Sequence, residues 1–329
     1  MVGCGSIGRR HIGNLLALGV ELVAWNRGDE RRKAVAEDFG IKTYENLNEM
    51  MSDSGADAAV ICSPSSIHVE DAMRAIAAHL HIFVEKPVGT NLDEVDRLVE
   101  TAESEKVISH VGSNMRFHWG PRRVKQILDS GQIGRPLWGN FWGAMHLPDW
   151  HPEEDYRDMY SAKLNLGGGA VLDFIHELDL VLWMLGEPKR IAAMTTKSGW
   201  LDIETEDLVD VLLGFSGGLQ VNVHLDYLQR PFQRGIRLVG TKGWVQWDLP
   251  RQIVESYDHA TEVHTVEHAP TGYSHNDMYM EQMNYFLQCI TSGTMSDGGL
   301  VSGRQALRLA LQIRESSYKN EFRKGVAVC

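Results

Sequence analysis

The sequence predicts an α/β protein: a doubly wound parallel sheet over residues 1–113, then an α/β domain with an open, mostly antiparallel sheet over residues 114–329. Three observations carry that expectation. Short apolar runs alternate with helical stretches as far as about residue 112, the spacing of βαβ units. A G-x-G-x-x-G pattern stands at Gly3, Gly5 and Gly8. Beyond residue 190, strand follows strand with little helix between, which favours antiparallel pairing.

The elements follow from local pattern. A helix starts at the glycines and runs through "IGRRHIGNLLALG", and "VELVAW" (20–25) is a strand. "DERRKAVAEDFG" (29–40) is a helix stopped by Gly40, and "DAAVICS" (57–63) is a strand. Helix 67–80, strand 81–87 ending at Pro87, helix 92–105 and strand 107–112 complete the alternation. Then come a helix over 121–131, a strand over 136–146 and a polar, aromatic loop over 147–162. The stretch "GGGAVLDFIHELDLVLWMLG" (167–186) reads as one helix, apolar nearly all round and therefore buried. Strands are expected over 190–199, 207–216, 219–228, 235–240, 243–249 and 262–269, and helices over 274–293 and 299–320.

Composition narrows the function. With 32 basic against 44 acidic residues the net charge is -12, which disfavours nucleic acid and anionic membrane surfaces as partners. Neither a membrane-spanning run of about 18 apolar residues nor a cleavable leader is legible, so a soluble cytoplasmic protein is expected. Cys4, Cys62, Cys289 and Cys329 are scattered without C-x-x-C pairing, as reduced, structural cysteines would be.

The glycine pattern gains weight from the helix and strand on its C-terminal side. A helix N-terminus at Ser6, Ile7 and Gly8 would offer N–H groups and a positive dipole end to a pyrophosphate. Strand 20–25 delivers Asn26 and Arg27 to the position facing an adenine ribose. An acidic residue there would suit NAD, whereas Asn26 with Arg27 tilts the expectation towards NADP, with NAD as the alternative. The strand that should carry this cradle has only Met1 and Val2. That leads to the expectation of a clipped first strand and weak cofactor binding, or of a natural start a few residues upstream.

Two further stretches carry chemistry. In "VEKPVG", Glu85 and Lys86 sit at the C-terminal end of a strand, where open α/β sheets bind ligands. In the helix at 167–186, Asp173, His176 and Asp179 at i, i+3 and i+6 span about a third of the circumference. Buried polar groups of this kind need partners or a cavity. They form either a satisfied core cluster or a general acid/base oriented by a carboxylate.

Taken in order, "GCGSIGRRH", "VICSPSSIHVEDAMRAIAAH", "FVEKPVGTNLDE", "GSNMRFH" and "GGGAVLDFIHELD" resemble the glucose-fructose oxidoreductase and inositol dehydrogenase (Gfo/Idh/MocA) family over essentially the whole chain. The resemblance implies a Rossmann domain followed by the open-sheet domain, and an NAD(P)-dependent dehydrogenase acting on a sugar, sugar nucleotide or cyclitol. It implies that Lys86 and His176 act on a substrate hydroxyl with Asp173 as carboxylate partner, and that Ser63, Pro64 and His68 border the nicotinamide side. Many relatives set the histidine four positions after that aspartate rather than three, so Asp179 rivals Asp173. The alternatives are a non-catalytic dinucleotide-binding regulator, a dihydrodiol dehydrogenase, and an imine or enone reductase.

Substrate contacts are expected from Asn114, Arg116, His146, Trp150 and Tyr156, with His151 and Arg157 nearby. The histidine spacing matches no familiar metal set, so no metal is expected. Trp138, Trp142, Trp244 and Trp247 on strand candidates predict a sheet face that seeks a partner, hence a homodimer or homotetramer.

Overall fold

The computed structural model describes residues 1–319; Cys329 and the last residue of the helix expected over 299–320 lie outside them. The chain divides into two compact units. The first contains residues 1–122, 165–167 and 270–307, so the helix Asp277–Ser292 clusters with the N-terminal residues. The second contains, among the described residues, 123–164, 168–269 and 308–319.

The first unit is a parallel sheet in the order Lys42–Tyr44, Val23–Trp25, Val2, Ala58–Ile61, His81–Val84, Ser109–Val111. Numbered along the chain, this is strand order 3-2-1-4-5-6, whose direction of winding reverses beside Val2. The first strand is as short as the sequence suggests, yet its backbone is fully engaged. Val2 N–H donates to Val60 O (2.8 Å) and Val2 O accepts from Cys62 (2.7 Å), while Met1 O accepts from Trp25 (2.9 Å). Helix Ser6–Ala17 buries Ile12 and Leu15 in a core with Phe83, Met283, Phe286 and Cys289. Gly40 caps helix Asp29–Phe39 in the left-handed conformation, as the sequence predicts. The strand Lys42–Tyr44 and the helix Leu47–Asp53 are not among the expected elements, being too short to show a period.

The second unit is an eight-stranded sheet in the order 264–268, 253–258, 243–248, 233–240, 136–144, 220–226, 208–214, 190–196. Every neighbouring pair is antiparallel except Pro136–Ala144 with Gln220–Asp226. Strand Ile253–Asp258 has no counterpart among the strands expected from sequence. One face is covered, with Phe174 and Glu177 packed over Gly143. The other presents Trp138, Met194 and Leu212, each more than a third exposed.

Two expectations are corrected here. Trp247 does not join the open face: it is fully buried, because its separation from Trp244 is odd and successive strand residues point to opposite sides. The stretch 167–186 is not one helix but two, Ala170–Asp173 and Ile175–Leu185, separated by Phe174 at φ -90° and ψ 30°. Asp173 therefore ends one helix and His176 lies in the first turn of another, and the regular spacing of the three polar residues breaks between them.

Candidate functional site

The glycine cradle is built by packing that leaves no room for side chains at two of its three positions. A Cβ at Gly3, whose φ is +92°, would lie 2.6 Å from the Cys62 carbonyl, and one at Gly8 would lie 2.1 Å from Gly3 O. Gly5 differs: its Cβ would meet nothing nearer than an Arg31 nitrogen at 4.0 Å. Gly5 is also the N-cap of helix Ser6–Ala17, with no side-chain cap and no acidic residue in the first turn. Ser6 is exposed and Ile7 half-buried there. This helix N-terminus is thus uncapped by any side chain, with open space at Gly5 and a cation beside it, the arrangement that suits a pyrophosphate. On this observation the residues fit a dinucleotide.

At the end of the second strand, Asn26 is committed to the cradle itself. Its Oδ1 accepts from Cys4 N–H (3.0 Å) and its Nδ2 donates to Gly28 O (3.2 Å). Arg32 donates to Asn26 O (3.0 Å) and to Asp29 Oδ1 (2.8 Å), whereas Arg27 and Arg31 are exposed.

Glu85 and Lys86 follow strand His81–Val84 directly. Glu85 is buried with its Oε1 2.7 Å from Nε2 of His11, and hydrogen bonding and charge from His11 hold its carboxyl below the usual glutamate range against the opposing effect of burial. Pro64 opens the turn Ser65–Ile67 after strand Ala58–Ile61, and Ser63 is half-buried beside it. His68 is buried, with both ring nitrogens on backbone carbonyls: Nδ1 2.8 Å from Pro87 O and Nε2 2.6 Å from Ser63 O. Burial lowers its pKa, against the pull of those carbonyls. Asn114 lies in the turn Asn114–Phe117 with its Oδ1 buried and without a protein hydrogen bond; Arg116, in the same turn, is half-buried.

In the second unit, Asp173 and His176 are both buried, as is Asp179. The Tyr227 hydroxyl donates to Asp173 Oδ2 at 2.6 Å, and burial followed by the Asp173 charge raises the tyrosine pKa well above its ordinary value. Glu177, the neighbour of His176, pairs with Arg234 at 2.7 Å, and Arg234 also lies over the Phe174 ring. Trp150 packs edge-on against Phe174 (5.6 Å) and Tyr227 (5.5 Å), and its buried Nε1 has no protein partner. His146 Nδ1 is 3.4 Å from Asp149, itself bound to Arg230. Tyr156 is half-buried and its hydroxyl accepts from Asp202 N–H (3.3 Å); Arg157 is taken by Asp155 (2.9 Å), and His151 is exposed.

Sequence reasoning missed Tyr227, the Glu177–Arg234 pair and His11. His11 alone left a local signal: it shares a helix face with Ile7 and Leu15, four residues to either side, where an apolar residue would be expected. Among the described residues no group of three histidine, cysteine or acidic side chains is placed to hold a metal ion.

A parallel sheet with a glycine cradle at the point where its winding reverses defines a dinucleotide-binding α/β protein. A family model described as "Oxidoreductase family, NAD-binding Rossmann fold" matches residues 1–113, and one described as "GFO/IDH/MocA C-terminal domain" matches residues 122–246. The chain belongs to the Gfo/Idh/MocA family and is an NAD(P)-dependent oxidoreductase.

Among curated relatives it is 26% identical over 337 residues to the myo-inositol 2-dehydrogenase of Thermotoga maritima, covering 96% of this chain and 95% of that one. It is 26% identical over 252 residues to the 1,5-anhydro-D-fructose reductase of Ensifer adhaerens, covering 74% and 73%. Its fold matches that of levoglucosan dehydrogenase in complex with NADH at a TM-score of 0.88, with 18% identity over 97% of this chain and 96% of that one. No helix among the described residues is long and apolar enough to cross a membrane.

Proposed function

We propose that the protein moves a hydride between a nicotinamide cofactor and a secondary alcohol or ketone of a sugar, sugar nucleotide or cyclitol, with Lys86, His176 and Asp173 as its acid/base machinery. Support comes from the names of the relatives and from the chemistry of the residues. Two observations support the reading, each within its own unit: a glycine cradle that suits a pyrophosphate in the first, and a buried histidine with a buried, hydrogen-bonded carboxylate in the second.

A carbinol C–H gives up its hydride readily only as the O–H proton leaves. In this reading His176 takes that proton in the oxidative direction and returns it in the reductive one. Lys86 supplies positive charge to the developing alkoxide. Asp173, fixed by Tyr227, orients the imidazole. The nicotinamide, when bound, accepts or donates the hydride. Trp150 offers an aromatic surface to a sugar ring, with its indole N–H and Asn114 Oδ1 as groups to match hydroxyls; Arg116, His146 and Tyr156 complete the proposed contacts. Ser63, Pro64 and Glu85 border the cofactor.

NADP is favoured over NAD. The ribose position carries neutral Asn26 instead of a carboxylate, with the exposed cations Arg27 and Arg31 close by. A homodimer or homotetramer is assigned to the open sheet face.

A spectral screen of free sugars, sugar nucleotides and inositols with both cofactors tests the reading. It predicts turnover of at least one, and a loss of at least about a hundredfold in Lys86→Ala and His176→Asn with cofactor binding nearly intact. Near-normal turnover in either variant contradicts the residue roles. Tight cofactor binding with no turnover of any compound favours a dinucleotide-binding regulator.

A further inference from the structure

Lys86 is flanked by two residues, each tied to a buried histidine of a different element. On its N-terminal side, Glu85 Oε1 lies 2.7 Å from Nε2 of His11, a fully buried residue of helix Ser6–Ala17. The other carboxylate oxygen accepts from the Lys86 N–H itself at 3.1 Å. The carboxylate packs closely on Gly112, where a Cβ would fall 2.6 Å from Oε2. The His11 ring is held edge-on by Phe83 at 5.2 Å.

On the C-terminal side, the Pro87 carbonyl lies 2.8 Å from Nδ1 of His68, whose Nε2 lies 2.6 Å from the Ser63 carbonyl. Ser63 and Pro87 follow adjacent strands, so His68 ties two strand ends together across the register of Ile61 with Val84. The neutral ring donates its single N–H to one of the two carbonyls according to tautomer, and the imidazolium donates to both.

Neither histidine has a nitrogen turned to a ligand by these contacts: His68 spends both on backbone, and His11 spends Nε2 on Glu85 while its Nδ1 is buried. Burying a carboxylate–imidazole pair costs desolvation that an apolar pair of similar volume would avoid. What the polar pair adds is a fixed geometry for the residue next to it. We infer that His11 and His68 are positioning residues for Lys86, gripping the backbone on either side of it through Glu85 and Pro87 so that its ammonium group keeps one aim. This rests on the role proposed for Lys86.

The test is a set of double-mutant cycles. Glu85→Gln, His11→Asn and His68→Gln are each made alone and with Lys86→Ala, and kcat is measured with a polyol that the wild-type enzyme turns over. Each single change is expected to lower kcat at least about tenfold in the wild-type background and less than about twofold when Lys86 is already absent. NADH and NADPH dissociation constants, read by cofactor fluorescence, should stay within about threefold in His11→Asn, the one of the three changes that lies outside the proposed cofactor contacts. Amide exchange over residues 85–88 of the unliganded protein should rise in the same variants and not in Lys86→Ala.

Equal fold losses in both backgrounds, or unchanged exchange, overturn the inference. Glu85→Gln keeps the shape of the side chain and carries the test if a histidine variant does not fold. Normal turnover in Lys86→Ala sinks the lysine's role instead, and the exchange measurement still decides whether the brace exists.

Discussion

The Tyr227 hydroxyl donates to Oδ2 of Asp173 at 2.6 Å, joining the end of strand Gln220–Asp226 to the last residue of the short helix Ala170–Asp173. Both side chains are buried, so this donor is not freely exchanged for bulk solvent. Tyr227→Phe removes the bond and leaves the ring. A hydrogen bond to a charged group contributes about 1.5–3 kcal/mol, so the variant should lose stability of that order in chemical denaturation. Turnover should fall about tenfold, with cofactor dissociation constants unchanged. Wild-type stability together with wild-type turnover would show that Asp173 does not depend on this donor.

Two histidines set opposite pH dependences. Burial, with the Arg116 charge acting the same way, lowers His110 from 6.5 to about 3. The unfolded chain then takes up a proton below pH 6.5 that the folded one refuses. Stability therefore falls as pH drops from 6.5 towards 3, by about 1.4 kcal/mol per unit from this group.

His224 does the reverse. It sits between Asp226 (2.9 Å) and Asp210 (2.8 Å), and the bond to Asp226, then that to Asp210, raises it to about 9. Its contribution is complete below 6.5 and is lost as pH rises from 6.5 to about 9. Denaturation midpoints across pH should show His110→Gln flattening the acid limb and Asp210→Asn flattening the alkaline one. Parallel curves for variant and wild type would contradict the assignment.

Cofactor choice is testable at three residues. Asn26→Asp places a carboxylate where ribose hydroxyls would seek an acceptor, and should move the preference towards NADH. Arg27→Ala and Arg31→Ala should each weaken NADPH by about tenfold while sparing NADH, as loss of one charge-assisted contact would. The readout is the ratio of the two dissociation constants. A ratio untouched by all three changes would place the 2′-phosphate selectivity elsewhere.

The open sheet face carries in-register rows of large side chains. Trp138 stands beside Val239, and Val239 in turn beside Trp244 and Trp244 beside Tyr257. Leu212 stands one row over, beside Ala192 and Asn222. Exposed large apolar side chains gathered on one sheet face favour association, which is the ground for the proposed oligomer. Trp138→Glu combined with Leu212→Glu should reduce the mass measured by light scattering to that of one chain, with the far-ultraviolet spectrum unchanged. A wild-type protein already monomeric at micromolar concentration would remove the argument.

Much of this architecture is legible in the chain. The βαβ rhythm to residue 112 and the unbroken strands beyond 190 point to the two sheets, because long periodic segments report their own burial. What escapes is short or distant. Strand Lys42–Tyr44 has three residues and shows no alternation. The break at Phe174 carries no glycine or proline to mark it, so the pattern reads as one helix where there are two.

Tyr227 lies 54 positions from Asp173 and reaches it only because its strand is built into the sheet beside the helix. His68 is expected at the cofactor from its place in a motif, but a motif does not say what a ring nitrogen bonds to. The structure gives both of its nitrogens to backbone.

Hydride transfer itself can be followed with an isotope. A polyol found in the screen is labelled with deuterium at the carbon bearing the reactive hydroxyl, and the oxidised cofactor is supplied. The account predicts that the label appears on the nicotinamide ring of the reduced cofactor, and that His176→Asn slows its arrival at least about a hundredfold. Label released to water, or arriving at the same rate in the variant, would contradict it.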